Sequence, residues 1–180
     1  RGCSGLRSIN IPDNVTSIGS LSFYGCSGLE SIILPESVTE IGYGAFFWCI
    51  ELKSINIPDD VTSIGSFAFC GCTFLTGINN IPDGVTEIED GAFCGCAFLT
   101  SINIPDSVTS IGGWAFSGCS RLTNVVIGNS VTFIGSMAFQ GCNSLTSMEI
   151  PESVTKIGNG AFRGCSGLRS INIPDNVTSI

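Results

Sequence analysis

A 23-residue unit repeats along the whole chain, and this repetition limits the fold to architectures that stack copies of one element. Aligned on its Cys, the unit reads Cys-x-x-Leu-x-Ser-Ile-x-Ile-Pro-Asp-x-Val-Thr-x-Ile-Gly-x-x-Ala-Phe-x-Gly, with departures such as Phe47-Trp48. One interval has 24 residues, and its extra residue is Asn79 or Asn80. A single unit is too short to bury its apolar residues, so neighbouring units are expected to stack around one continuous core. We therefore interpret residues 1–180 as one array of about eight repeats.

The first 18 residues, 1–18, are identical to the last 18, 163–180, which defines a second period of 162 residues. Neighbouring units are much less alike, so the identity marks a higher-order repeat. It predicts that the same repeat chain continues, or that separate copies associate end to end through contacts that do not close into a ring. Neither end reads as a polar cap, so we expect an uncapped array.

Three segments of the unit predict its local structure. Leu-x-x-Ile-x-Ile places apolar residues on one side of a strand, and the following Pro ends the strand because it removes a backbone donor. Val-Thr-x-Ile is a second short extended segment, and Gly-x-x-Ala-Phe is expected to form a short helical or 3₁₀ turn. The sequence thus predicts an α/β repeat solenoid: a right-handed coil with a parallel β-sheet on one face and the second extended segment and helical turns on the other.

The pattern Leu-x-x-Ile-x-Ile-Pro-x-x-Val-Thr-x-Ile-Gly-x-x-Ala-Phe-x-x-Cys resembles the leucine-rich repeat of the BspA-like family of bacterial and protozoan surface proteins. The resemblance covers the whole chain. It implies a non-enzymatic extracellular or cell-surface array, often adhesive, with a sheet on one face and short helical or irregular segments on the other. It supplies no catalytic residues.

Composition narrows the function further. The chain has 15 acidic and 7 basic residues and a net charge of -8, which argues against nucleic acid as a partner, because phosphate binding needs clustered Lys and Arg. It has no run of 18 apolar residues, so no membrane span is predicted in this segment. His is absent, and neither a phosphate-binding loop nor a nucleophile elbow occurs. We therefore expect no enzyme activity, no catalytic residues and no cofactor.

The Cys residues fall into two groups. Eight occupy the first position of the unit, where a small apolar side chain suits the core, and are expected to remain buried thiols: Cys3, Cys26, Cys49, Cys72, Cys96, Cys119, Cys142 and Cys165. Cys70 and Cys94 share a different position on consecutive rungs, which we interpret as solvent-facing on a turn, and we predict a disulfide between them. Metal binding by the two Cys-x-Cys pairs has little support without His, so no metal site is predicted.

Two further surface features recur. Thr follows Val in every unit and is expected to form an exposed ladder that stabilises the stack; its members are Thr16, Thr39, Thr62, Thr86, Thr109, Thr132, Thr155 and Thr178. An ice-binding face would also use such a row, but the neighbouring position is not uniform. Asn14-Val15-Thr16 is an N-glycosylation sequon that recurs at Asn176, so both Asn side chains are predicted glycosylation sites in a secreted protein.

These features together predict a non-enzymatic, extracellular or cell-surface protein with a structural or adhesive role, a segment of a long repeat protein or fibril. Its partners would be further copies of the repeat, or a host or matrix protein or glycan. The alternative is a discrete binding module that recognises a protein or glycan through its sheet face. The strands predict small polar side chains on that face, without the aromatic or Arg residues that dominate tight interfaces.

Overall fold

In a computed structural model that describes residues 2–180, the repeats stack as the rungs of one parallel β-solenoid. Each rung begins at a Cys of the repeated first position. Numbered from 1 to 8, the rungs span residues 3–25, 26–48, 49–71, 72–95, 96–118, 119–141, 142–164 and 165–180.

The first strand of each rung forms what we call the first ladder. Its strands pair in parallel, so that Ser8 lies opposite Ser31 and Ile9 opposite Ile32. This register follows from the repeat length, because equivalent residues of neighbouring rungs become neighbours in the sheet. The strands are β1 (Ser8–Asn10), β3 (Ser31–Ile33), β5 (Ser54–Asn56), β7 (Gly77–Ile78), β9 (Ser101–Ile104), β11 (Asn124–Ile127), β13 (Ser147–Glu149) and β15 (Ser170–Asn172).

The Val-Thr-x-Ile segment forms a second ladder, which confirms the predicted second extended segment. In each of its two-residue strands the second residue is a buried Ile and the first faces outward. The strands are β2 (Ser17–Ile18), β4 (Glu40–Ile41), β6 (Ser63–Ile64), β8 (Glu87–Ile88), β10 (Ser110–Ile111), β12 (Phe133–Ile134) and β14 (Lys156–Ile157).

The prediction of short helical or 3₁₀ turns is wrong: residues 2–180 contain no helix. In the Gly-x-x-Ala-Phe segment of rung 2, the Ala45 amide donates to the Gly42 carbonyl of its own turn at 3.2 Å, whereas the Phe46 amide donates to Ala68 of the next rung at 2.8 Å. Gly44 has a φ of 54°, which also prevents a right-handed helix. Alternate amides therefore bind the neighbouring rung, and these segments form a third row of contacts between rungs.

We call this third row the turn edge; it comprises residues 19–25, 42–48, 65–71, 89–95, 112–118, 135–141 and 158–164. No helix in the described part of the chain is long and apolar enough to cross a membrane.

The core is a set of aligned columns along the solenoid axis. Phe69 is fully buried, and its ring stacks nearly parallel to those of Phe46 and Phe93, with centroids 5.4 Å away on each side. The Cys72 thiol lies beside this stack and donates to the Phe46 carbonyl at 3.2 Å. Burial raises the pKa of Cys72, so its reactive thiolate form is suppressed. The repeated Cys is a buried packing residue from Cys26 to Cys165, as expected, whereas Cys3 on the first rung is exposed.

Hydrogen bonds of the Asn side chains identify the extra residue of rung 4. Asn56 exchanges two hydrogen bonds with the backbone of Leu34 on the preceding rung, at 3.1 Å each. Asn79 makes the same pair with Ile57, at 2.9 and 3.1 Å, so it keeps the regular position of the repeat. Asn80 is therefore the inserted residue.

The insertion interrupts both ladders. Across residues 2–180, β6 does not pair with β8 in the second ladder, and β7 does not pair with β9 in the first. We call these two missing pairings the rung 4 seam. The turn edge continues across it, because the Phe69 amide donates to Ala92 at 2.8 Å and the Gly71 amide donates to Cys94 at 2.7 Å.

Deleting Asn80 is expected to stabilise the protein. The deletion restores the 23-residue spacing, so that strands on both sides of the seam can pair, and each regained hydrogen bond contributes about 1 kcal/mol. We expect the free energy of unfolding, measured by urea denaturation, to rise by about 1 to 3 kcal/mol. Asn80→Ala keeps the extra residue and is expected to leave the stability unchanged. A lower midpoint for the deletion would contradict the assignment.

Candidate interaction surfaces

The outer face of the first ladder is flat and mostly polar. None of its strand residues is aromatic, and two aliphatic side chains interrupt the Asn row: Ile33, with 76% of its surface exposed, and Val126, with 50%. A groove of 490 Å³ opens where β11 and β13 do not pair, and its lining includes Val126, Met148 and Glu149. The face is therefore shallow, and its strands have no aromatic side chain that could anchor a partner.

The Thr ladder is exposed along its whole length, but its hydroxyls are used within the stack. Thr39 donates to the Thr16 carbonyl through its amide at 2.9 Å and through its hydroxyl at 3.3 Å. Most later members repeat this arrangement, although the row is broken at the seam between Thr62 and Thr86. The geometry supports a stabilising role for the Thr ladder.

The two sequon Asn residues are exposed but differ in their contacts. The Asn176 side-chain amide donates to the Glu152 carbonyl at 2.9 Å, which a glycan would displace. Their sequon hydroxyls belong to Thr16 and Thr178 of the Thr ladder. Glycosylation at Asn14 and Asn176 stays a prediction, and intact-mass measurement of the secreted protein would test it.

Cys70 and Cys94 lie next to each other on the turn edge, with their sulfur atoms joined and their Cα atoms 4.5 Å apart. They are less exposed than the sequence suggested, since Cys70 is buried and Cys94 half-buried. The pair connects rung 3 to rung 4, the rungs between which the second ladder is interrupted. Whether this pair is oxidised in the native protein remains a prediction.

The Cys-x-Cys pairs do not form metal sites in this arrangement. Cys72 and Cys96 are fully buried in the core column, while their partners lie on the turn edge. Residues 2–180 hold no group of three or more His, Cys, Asp or Glu side chains placed to bind a metal ion.

A row of alternating charges, which the sequence analysis missed, links the first three rungs. Glu30 accepts from Arg7 at 2.6 Å through one carboxylate oxygen and from Lys53 at 2.8 Å through the other. The hydrogen bond from the Lys53 ammonium, followed by that from the Arg7 guanidinium, lowers the pKa of Glu30. The signal was the fifth position of the repeat, which reads Arg, Glu, Lys on successive rungs. Because all three groups are exposed, the row adds little stability.

An aromatic cluster on the turn edge of rungs 1 to 3, with two exposed and three half-buried rings, was also missed; we call it the aromatic patch. It comprises Tyr24, Tyr43, Phe47, Trp48 and Phe67. The Phe47 ring lies at its centre, with centroids 5.5 Å from Tyr24, 5.5 Å from Trp48 and 6.3 Å from Phe67. Tyr43 packs edge-on against Phe67 at 6.0 Å. Trp48 is 54% exposed and Tyr43 49%, so the cluster presents large rings to solvent.

Two rings of the aromatic patch come from left-handed backbone. Trp48 has a φ of 60° at a position where the other rungs have Gly. Phe67 has a φ of 57° at a position where three other rungs have Gly, namely Gly44, Gly91 and Gly160. A left-handed conformation costs a residue with a side chain about 1 to 2 kcal/mol. Each ring lies over a Gly of the next rung, Trp48 over Gly71 and Phe67 over Gly91, where an added Cβ would collide with it. The aromatic side chains are therefore accommodated by small neighbours, despite their unfavourable backbone.

The stacked parallel ladders with inward Leu, Ile and Val define a leucine-rich-repeat solenoid. The family model described as BspA type leucine rich repeat region (6 copies) matches residues 1–97 and 79–180. The chain belongs to the BspA type leucine-rich repeat family, as the pattern of the unit predicted. No match was found among curated proteins.

Solved structures of bacterial repeat proteins have a similar fold. A leucine rich cell surface protein from Faecalibacterium prausnitzii A2-165 is 35% identical, with a TM-score of 0.63 over 99% of this chain and 56% of that one. T. pallidum leucine rich repeat protein is 33% identical, with a TM-score of 0.69 over 97% of this chain and 73% of that one. A leucine-rich repeat protein from Eubacterium ventriosum ATCC 27560 is 29% identical, with a TM-score of 0.82 over 94% of this chain and 45% of that one. The chain thus spans little more than half the length of the F. prausnitzii protein.

Proposed function

We propose that the protein is a non-enzymatic, extracellular repeat array with a structural or adhesive role at the cell surface. The observation that carries this proposal is the regularity of the stack: the same strands, core columns and turn edge recur on rungs 1 to 7, although some neighbouring strands do not pair, and the surface is built from rows. A rod of this kind suits spanning distance and presenting repeated surfaces. The similar F. prausnitzii protein, a leucine rich cell surface protein, supports the location.

The 162-residue period supports extension of the array beyond one copy of the period. Within residues 2–18, the contacts with rung 2 include the pairing of β1 with β3, the hydrogen bond from Thr39 to Thr16, and the ion pair of Arg7 with Glu30. Residues 163–180 have the same sequence and so carry the same donors, acceptors and charge. They can hold a rung 2 sequence in the same way, either further along the same chain or in another copy.

Surface labelling of intact cells, combined with electron microscopy of the purified full-length protein, tests this function. We expect antibodies against the array to label intact cells without permeabilisation, and the protein to form rods of constant width. A matched sample of permeabilised cells reports the total amount of protein. Labelling that appears only after permeabilisation, or compact particles without rods, would overturn the proposal.

The alternative, a discrete module that binds a protein or glycan through its sheet face, has weaker support. That face has exposed Ile33 and the groove between β11 and β13, but its strands have no aromatic residue and its polar side chains are small. If the protein were such a module, the same experiment would show labelling of intact cells and compact monomeric particles.

A further inference from the structure

The aromatic patch lies in the acidic part of the chain. Ten of the fifteen acidic residues fall within residues 26–95, together with one basic residue, Lys53. Lys53 is itself paired with Glu30. Residues 96–180 carry four acidic and four basic residues, so the negative charge is concentrated on rungs 2 to 4. A partner that docks on rungs 2 to 4 therefore meets a net negative charge on these rungs.

Two exposed acidic residues, Glu89 and Asp90, lie next to the aromatic patch. The Phe67 amide donates to the Asp90 carbonyl at 2.9 Å, and the Phe67 ring lies over the adjacent Gly91. Ser66, next to Phe67, donates through its hydroxyl to the Glu89 carboxylate at 3.1 Å. Glu89 and Asp90 therefore lie beside Phe67 on the turn edge, and the Asp90 carboxylate also accepts a hydrogen bond from the Gly113 amide of rung 5 at 2.6 Å.

The chain itself contains a cation–π contact, which is the kind of contact that such a surface favours. On the opposite half, the Arg121 guanidinium lies over the Phe98 ring, 3.9 Å from its centroid. Within residues 2–180 it is the one cation found over a ring, so the rings of the aromatic patch have no cation of their own. A cation over an aromatic face is attracted by the ring quadrupole, and nearby carboxylates add to that attraction.

We propose that the aromatic patch, with Glu89 and Asp90, is the docking site for a basic segment of another polypeptide. Arg or Lys side chains of that segment stack on Trp48 and Phe67 and pair with the two carboxylates. Complementarity of charge selects this partner over an acidic or neutral one. The left-handed backbone of Trp48 fits this role, because the sequence keeps a large ring at a position where the other rungs have Gly.

This inference goes beyond the proposed function and does not depend on it. Binding is measured on purified protein, so it can succeed or fail whatever the cell-surface labelling shows.

Substitution by Gly separates binding from folding. Trp48→Gly and Phe67→Gly place the residue that equivalent rungs already use in a left-handed conformation, so the fold is expected to be retained. Met137→Gly is the matched control, because Met137 is also left-handed, occupies the same position of the unit as Phe67 and lies on rung 6, in the half without excess charge. Thermal melting followed by circular dichroism verifies folding of all three variants.

Fluorescence anisotropy with a labelled peptide of five Arg-Gly units measures binding. We expect Trp48→Gly and Phe67→Gly each to weaken it by about tenfold, as for residues at the centre of an interface, and Met137→Gly to bind as the original chain does. Asp90→Asn should weaken it as well. Asp106→Asn is its control, since both aspartates accept a backbone hydrogen bond at 2.6 Å, from Gly113 and Asn129 respectively.

Four outcomes would overturn the proposal. The first is no binding of the Arg-Gly peptide by the original chain. The second is equal binding of a Glu-Gly peptide of the same length, which would exclude charge as the basis of recognition. The third is an equal loss in Met137→Gly. The fourth is binding of a neutral oligosaccharide, such as maltohexaose, with the Arg-Gly peptide unable to compete for the aromatic patch.

Discussion

Replacing both Cys70 and Cys94 by Ser is expected to lower the free energy of unfolding by about 3 kcal/mol, the value typical for a closed loop of this size. The two residues are 24 positions apart and join rung 3 to rung 4. Between these rungs the second ladder lacks its pairing, so the turn edge carries more of the connection there than elsewhere. In a linear array, a weakened contact between two rungs limits the cooperativity of the whole stack.

Urea denaturation with and without dithiothreitol measures this effect. The original chain should lose about the same stability on reduction as it loses on double substitution, and the Cys70→Ser/Cys94→Ser variant should not respond to dithiothreitol. The eight remaining Cys residues are thiols and should contribute nothing to the response. Equal stability with and without reductant would show that the pair is not a disulfide in solution.

Substitution at the equivalent position between rungs 5 and 6 provides a control. Ser117 and Gln140 occupy the same turn-edge position as the Cys pair, joined by a side-chain hydrogen bond of 3.3 Å, and both ladders are paired there. Ser117→Ala/Gln140→Ala is expected to change the stability by no more than about 0.5 kcal/mol. Ser117 also shows that a hydroxyl suits this position, so loss of stability in the serine variant reflects the lost bond.

The ladders and the core were predictable because they depend on repetition alone. Once equivalent residues align, Ile9 must meet Ile32 and Phe46 must meet Phe69, whatever the details of the chain path. The turn was not predictable in this way. The spacing of Ala45 and Phe46 fits a helical turn equally well, and only the neighbouring rung, which accepts the Phe46 hydrogen bond, decides against it.

The candidate surfaces also differ in whether the repeat alone predicts them. Rows such as the Thr ladder were visible because every unit contributes one member. The aromatic patch was not, because its rings come from four different positions of the unit, on three rungs, and Phe47-Trp48 reads as a departure from the consensus. Irregular residues in a regular array carry information that alignment of the repeats removes. The sequence likewise reveals that one residue is inserted in rung 4. Only the hydrogen bonds of Asn79 identify the inserted residue as Asn80.

Phe69→Ala is expected to destabilise the protein by about 3 to 5 kcal/mol, the usual cost of removing a buried ring. Its ring is fully buried and stacks on Phe46 and Phe93 at 5.4 Å on each side. The neighbouring rings cannot move into the space, because the backbone of each is held by a hydrogen bond of the turn edge to the following rung, from Phe46 to Ala68 and from Phe93 to Ala115. The substitution therefore leaves a cavity in the middle of the stack.

The matched control is Phe133→Ala, which removes the same side chain from the outer face of the second ladder. Phe133 is 40% exposed and lies outside the ring stack, so its loss is expected to cost less than about 1 kcal/mol. Urea denaturation of both variants separates the cost of the cavity from that of the residue type. A similar loss in the two variants would exclude the ring stack as a major source of stability.

A variant at the end of the ring stack allows a second comparison with Phe69→Ala. Phe23 belongs to the same column, but it is only partly buried and its ring stacks on Phe46 alone, at 5.3 Å. Phe23→Ala should therefore cost clearly less than Phe69→Ala. In a linear array the central substitution also interrupts contact between rungs on its two sides, so it should broaden the transition as well as lower its midpoint. Equal effects at Phe23 and Phe69, with unchanged cooperativity, would contradict nearest-neighbour stabilisation of the rungs.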